Sequence, residues 1–149
     1  FWFLVLGSPG TLLFRFTNTL DAMWGYKNNR YRQFGWAAAR ADDILNWLPA
    51  RLAALSYALV GNFSNSIKCS CEQGSKTDSP NAGYVMAAGA GALGITIGGT
   101  AYYHGEIQQR SLFGVGPAAE SNDVARTISL VEHSAILWVV VVLLSGIPW

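Results

Sequence analysis

An all-α, polytopic integral membrane protein is the fold class this sequence predicts, and three observations predict it. Only 13% of the 149 residues are charged, about half the globular norm of roughly 25%. Hydrophobic residues make up 51%, and 13% are aromatic, including six Trp. Aromatic weight of that kind collects at bilayer interfaces. The third observation is arrangement: long uncharged segments alternate with polar ones. Segments of about 20 apolar residues can span a bilayer as helices.

The first 14 residues carry no charge and are broken only by Gly7-Ser8-Pro9-Gly10. They read as the end of a span whose start is missing, within a longer chain. From Arg15 a polar stripe begins, with Asn18 and Asp21 at three-residue steps on one helical face. Gly25 and Asn28-Asn29 signal a turn. Residues 36–47, WAAARADDILNW, contain good helix formers. Pro49 is expected to kink or restart that helix, since it lacks an amide donor and crowds the preceding turn. A second apolar helix then runs to Val60.

Asn62 to Ser79 reads as a polar loop. Ser79-Pro80-Asn81-Ala82-Gly83 follows, then an uncharged stretch from Tyr84 to Tyr103 rich in Gly and Ala. Small residues permit close helix packing or close approach of a ligand. The reading is a buried, non-spanning small-residue helix over 82–99. Residues 104–123 read as a loop, with Asp123 as N-cap of a final helix. That helix becomes wholly apolar from Ala135 to Leu144, with Trp138 and Trp149 as interfacial anchors. The expected organisation is one membrane-embedded domain over 1–149. Its spans fall at about 1–16, 45–61 (spanning or interfacial) and 130–149.

Net charge is +1, which leaves no electrostatic footprint for nucleic acid. Cys69 and Cys71 stand one residue apart, poorly spaced for a mutual disulfide and too few for a zinc site, and read as two loop thiols.

Three constellations could carry chemistry. In the first, Asp43, Trp47 and Arg51 fall at i, i+4 and i+8 if the helix continues through Pro49, with Asn46 beside them. Asn18, Asp21 and Asp42 add carboxylates and amides near apolar segments. Polar groups at membrane depth are costly and usually pair or bind something. Such a set suits Mg²⁺ or a cationic substrate, with Lys27, Arg30, Arg32 and Arg40 available to phosphate oxygens. It equally suits a solvated loop with structural ion pairs.

The second constellation is Ser79 to Gly83. It is an ordinary helix cap, or an anion site at a helix start with Gly83, Gly89 and Gly91 leaving room for a bulky ligand. The third is Gly98-Gly99 followed by Tyr102-Tyr103-His104-Gly105. His104 could serve as a base or could be a hydrogen-bonded surface residue. No Gly-Lys-Ser/Thr phosphate loop or metal-binding HExxH motif is present.

The run from Asn18 to Leu55 resembles a signature block of the adenosylcobinamide-phosphate synthases, the CobD/CbiB family. The elements that carry the likeness are Asn18-Thr19-Leu20-Asp21, Gly25-Tyr26, Tyr31, Phe34-Gly35, Asp42-Asp43, Asn46 and Pro49-Ala50-Arg51. SPNAG at 79–83 and Gly98-Gly99 with Tyr102 to Gly105 are similar to two further family blocks. The likeness extends over nearly the whole chain and is weakest across 62–76. Family proteins are about twice this length, and their N-terminal motif blocks have no counterpart here. Thr100 stands where relatives often have Pro.

The resemblance implies a multi-pass enzyme of the bacterial inner membrane. It would join adenosylcobyric acid to (R)-1-amino-2-propanol O-phosphate with ATP, giving adenosylcobinamide phosphate in cobalamin biosynthesis. Catalytic roles are expected of Asp21, Asp42, Asp43 and His104. Asp21 and Asp43 are the expected ligands of Mg²⁺. Substrate contacts are expected from Asn18, Tyr26, Lys27, Arg40, Asn46, Arg51, Ser79, Asn81, Gly83, Gly98, Gly99 and Tyr102. Within these, Lys27, Arg40 and Arg51 would hold phosphate. The implied partners are the membrane, the corrinoid and the amine. A homo-oligomer or a complex with late corrin-pathway enzymes is left open.

A runner-up comes from another class. AmpE-type membrane proteins share a block like Asn46-Trp47-Leu48-Pro49-Ala50-Arg51-Leu52 and would make the chain a sensor without this catalysis.

Overall fold

The computed structural model describes residues 1–24, 32–77, 79–103 and 106–146; at 32–34, 101–103, 106 and 108 it describes the backbone alone. The chain is mostly helical, and it divides into two compact units, Phe1–Pro49 and Ala50–Trp149.

The first unit holds α1 (Trp2–Trp24) and the first part of α2 (Arg32–Val60). The interruption expected at Gly7 to Gly10 is real. Gly7 adopts φ 65° and ψ −149°, a conformation open to glycine, and α1 kinks there. The indole N–H of Trp2 donates to the Leu45 carbonyl at 3.0 Å, tying α1 to α2. Pro49 neither breaks nor restarts α2, which runs as a single helix across it.

The second unit begins with the remainder of α2 and continues through α3 (Phe63–Gln73) and α4 (Ala82–Leu93). Strands β1 (Thr96–Tyr103) and β2 (Glu106–Gly114) follow, then α5 (Ser121–Leu144). Three sequence expectations are corrected here. The 62–79 segment is not all loop: Asn62 caps α3, its side chain accepting from the Asn65 amide at 3.0 Å. Cys69 and Cys71 therefore lie on a helix, Cys69 buried and Cys71 exposed.

The small-residue helix stops at Leu93, not 99. Gly94 takes the left-handed conformation (φ 69°), and the Ile95 amide bonds back to the Ala90 carbonyl at 3.1 Å, a glycine helix stop.

Finally, the fold is not all-α. Beyond Gly94 the chain forms an antiparallel hairpin that takes in part of the 104–123 segment read as loop. Its register shifts between Ile97 and Gly99. Gly98 and Gly99 both have positive φ, and a Cβ on Gly98 would collide with the Ser111 carbonyl across the ladder.

Small residues let α3 and α4 pack closely. A Cβ on Gly91 would lie 2.6 Å from the Asn65 carbonyl oxygen. Buried Ser66 donates to the Ala88 carbonyl at 2.9 Å. Cys69, Ala87, Ala90, Ile95 and Phe113 form the core, with Leu93 and Ile97 packed on it. Gln73 fixes the hairpin base: its amide accepts from Gly114 N–H at 2.7 Å and donates to Gly114 C=O at 3.1 Å.

The N-cap of α5 is Glu120 rather than Asp123. Asp123 sits at the third helical position and accepts from the Glu120 amide at 2.9 Å. Among the described residues, α5 is the one helix long and apolar enough to cross a membrane, and little of its apolar window is buried. It begins at Ser121 and ends at Leu144. The indole N–H of Trp138, a residue expected as an interfacial anchor, donates to Ser56 Oγ of α2 at 2.7 Å. Trp149 lies outside the described residues.

Candidate substrate site

In the first unit the polar stretch gathers around one carboxylate. Asp42 accepts from the Asn18 amide at 3.3 Å through one oxygen and from Asn46 at 2.9 Å through the other. Asn46 also donates to the Asp42 carbonyl at 3.1 Å, across one turn of α2. Asn18 comes from α1, so the contact joins two helices 24 residues apart in sequence. Asp43 pairs with Arg40 at 3.6 Å, and the Arg40 guanidinium stands 5.9 Å from the Trp36 ring centroid. Both pairings follow from helical spacing.

Asp21 shares this field. Burial pushes its carboxyl above the ordinary range, and the charges of Asp42 and Asp43 push it further. Burial raises Asp43 as well; Arg40 opposes that shift and Asp42 adds to it. Neighbouring carboxylates that raise one another's proton affinity suit a proton or a cation. Among the described residues no three His, Cys, Asp or Glu side chains converge on a common metal position. That still fits Mg²⁺, which typically takes one or two carboxylates and completes its shell with water and phosphate.

The second unit holds the SPNAG block. Arg51 of α2 reaches it with both terminal nitrogens: one donates to Asn81 Oδ1 at 2.5 Å, the other to the Pro80 carbonyl at 3.1 Å. Its guanidinium lies 4.3 Å from the Tyr84 ring centroid. Ser79 Oγ accepts from the amides of Asn81 and Ala82, both at 3.4 Å. Thr77 donates to the Ser79 carbonyl at 2.7 Å. Gly83 serves packing rather than ligand access, because a Cβ there would strike the Gly74 carbonyl. Gly91 likewise faces α3. Gly89 alone of the three has room, with its nearest neighbour the Tyr57 ring at 3.5 Å.

Asn18, Asp21, Arg40, Asp42, Asp43 and Asn46 are thus brought together in one unit. Arg51, Ser79 and Asn81 are brought together in the other. Gly98, Gly99 and the backbone of Tyr102 lie in β1. Tyr26, Lys27, Arg30 and His104 lie outside the described residues. Sequence reasoning passed over two aromatic partners. Trp36 was legible, standing four residues before Arg40. Tyr84 was not, since nothing local links it to Arg51, 33 residues earlier.

These features define a class: a mostly helical protein with, among the described residues, one helix long and apolar enough to cross a membrane and two polar clusters built on helices. Residues 1–131 match the family described as CobD/Cbib protein. The cobalamin biosynthesis protein CobD of Chromobacterium violaceum is 54% identical over 99% of this chain and 47% of its own length. That of Stutzerimonas stutzeri is 51% identical over 98% of this chain and 48% of its own. That of Halalkalibacterium halodurans is 38% identical, again over 98% and 48%. No solved structure matches the chain. The chain belongs to the CobD/CbiB family and spans about half the length of the curated relatives it matches.

Proposed function

We propose that this chain is part of a multi-pass adenosylcobinamide-phosphate synthase of a bacterial inner membrane, acting in cobalamin biosynthesis. In this reading it joins a side-chain carboxylate of adenosylcobyric acid to the amine of (R)-1-amino-2-propanol O-phosphate. Family membership along residues 1–131 is the observation that carries the proposal. The relatives named above are all called cobalamin biosynthesis proteins.

The chemistry explains why such a site would need these residue types. At neutral pH the amine is an ammonium and the acid a carboxylate, both unreactive toward amide formation. ATP, with Mg²⁺, would supply activation by phosphorylating the carboxylate, so that the phosphate-bearing oxygen leaves as the amide bond forms. The amine must then lose a proton before its lone pair can attack. Asp21, Asp42 and Asp43 form a negative field suited to an ammonium group. Asp21, whose proton affinity is raised, is the best placed of them to accept its proton. Asp42, fixed by Asn18 and Asn46, holds the field in place. Where Mg²⁺ rather than the ammonium occupies this field, Asp21 and Asp43 would hold it, while Lys27 and Arg40 would reach phosphate oxygens.

The test uses the full-length protein that contains this segment, supplied with adenosylcobyric acid, aminopropanol phosphate and ATP. Mass spectrometry of the corrinoid product reads the outcome. Asp21→Asn and Asp43→Asn should each slow product formation by about 100-fold, the low end for a lost acid–base group. A wild-type rate in either variant removes that residue from the site. No product from the wild-type protein rejects the ligase reading itself.

A further inference from the structure

An arginine in a sequence block expected to handle phosphate is ordinarily read as a phosphate ligand. The surroundings of Arg51 argue for another role. Its guanidinium donates to Asn81 Oδ1 and to the Pro80 carbonyl, and it stacks on Tyr84. These partners belong to one six-residue stretch, Ser79 to Tyr84. Asn81 is itself buried, at 6% exposure. A planar fork with a flat face can make these contacts together, and a lysine ammonium cannot.

The consequence falls on the start of α4. Asparagine is among the strongest N-cap residues because its side-chain oxygen accepts from the second or third helical amide. Asn81 occupies the N-cap position yet makes no capping bond, and its backbone is helical (φ −110°, ψ −46°). Arg51 holds the oxygen that would otherwise cap. Ser79 Oγ serves the Asn81 and Ala82 amides instead. The amides of Gly83 and Tyr84 therefore do not have the Asn81 side chain as their acceptor.

We infer that Arg51 is a positioning residue: it clamps the Ser79–Tyr84 turn to α2 and withholds Asn81 from capping, setting the presentation of the first turn of α4. This rests on the ligase reading for its link to activity, but the clamp itself can be tested without it.

Two measurements on the full-length protein separate the claims. Amide hydrogen exchange over 79–84 reads the clamp directly. Arg51→Lys and Asn81→Ala should each speed exchange of the Ser79, Asn81 and Ala82 amides by about tenfold, the loss of a hydrogen bond to a charged group. The Gly83 and Tyr84 amides, which a freed Asn81 can cap in Arg51→Lys, are read apart from them. Unchanged exchange in Arg51→Lys overturns the inference, whatever the protein's activity. The second measurement compares aminopropanol phosphate with unphosphorylated aminopropanol as the amine. A positioning residue serves both, so Arg51→Lys should lower the rates with the two amines by similar factors. The Arg51→Lys/Asn81→Ala double variant should be little slower than the worse single variant, because the two residues act as one unit. A loss confined to the phosphorylated amine makes Arg51 a direct phosphate ligand and sinks the inference. If the wild-type protein ligates neither amine, the ligase reading fails and the exchange result alone decides the clamp.

Discussion

Single glycines in α4 have opposite meanings that exposure alone would not reveal. Gly91 presses on the α3 backbone, with a prospective Cβ 2.6 Å from the Asn65 carbonyl oxygen. Gly91→Ala must push α3 and α4 apart, and overpacking of this kind costs about 1–3 kcal/mol. Gly89 meets only the Tyr57 ring at ordinary contact distance. Gly89→Ala should stabilise the chain by up to ~1 kcal/mol through helix propensity. Thermal unfolding of the two variants checks this: the midpoint should fall for Gly91→Ala and rise for Gly89→Ala. A fall for both would mean that the space at Gly89 is not real. Composition marked both residues as part of one small-residue run. Only the neighbour across the interface, some 25 residues earlier in the chain, tells them apart.

At the scale of elements, the hairpin depends on one side chain of α3. Gln73 supplies both bonds to Gly114. Gln73→Ala leaves a backbone donor and acceptor without these partners in a partly buried place, a loss of about 1–3 kcal/mol. Exchange of the β2 amides should quicken in this variant while α5 stays protected. Equal loss of protection in both elements would show that Gln73 supports the whole unit instead.

The hairpin is also where sequence reading went astray. Gly98-Gly99 prolonged a run of Gly and Ala that looked helical. Yet Gly94 was a legible stop signal, and the Thr, Ile and Tyr residues beyond it favour strands. Helix α3 was missed because FSNSIKCSCEQ is mostly polar; its buried face is Ser66, Cys69 and Ser70, whose serines bond to α4 carbonyls, which local patterns do not carry. The Asp42 cluster was better foreshadowed. Asp42–Asn46 and Arg40–Asp43 follow from helical spacing, whereas the Asn18–Asp42 contact needed the tertiary fold.

Over the whole molecule, three carboxylates pull the pH dependence of stability in two directions. Asp21 and Asp43 bind their protons more tightly in the folded chain than in the unfolded one. Their contribution therefore declines as pH rises from the ordinary value of 3.8 through the raised folded value, and stays low above it. Asp123 is the reverse case. The Glu120 backbone and the Arg126 side chain hold its carboxyl below 3.8. Its contribution is present above that value and is lost as pH falls through the lowered one. At neutral pH, Asp21→Asn should therefore raise the unfolding midpoint even as it slows the proposed ligation, and Asp123→Asn should lower it. A lower midpoint for Asp21→Asn would show that its charge is compensated in the fold. A carboxylate kept at a cost to stability is what a working site tends to hold.

The early end of α4 has a consequence for sidedness. Twelve residues of helix rise about 18 Å, well short of a hydrocarbon core of about 30 Å. Helix α3 is shorter still, and an open two-stranded ribbon cannot cross lipid with its edges unpaired. Among the described residues from Gly61 to Glu120, then, no helix or strand is long enough to cross a bilayer by itself. If α5 crosses one, the expectation is that the SPNAG turn and the first residues of α5 face the same compartment, and the far end of α5 the other. A single impermeant thiol reagent applied from one side should reach cysteines placed at Ser79 and Ser121 alike.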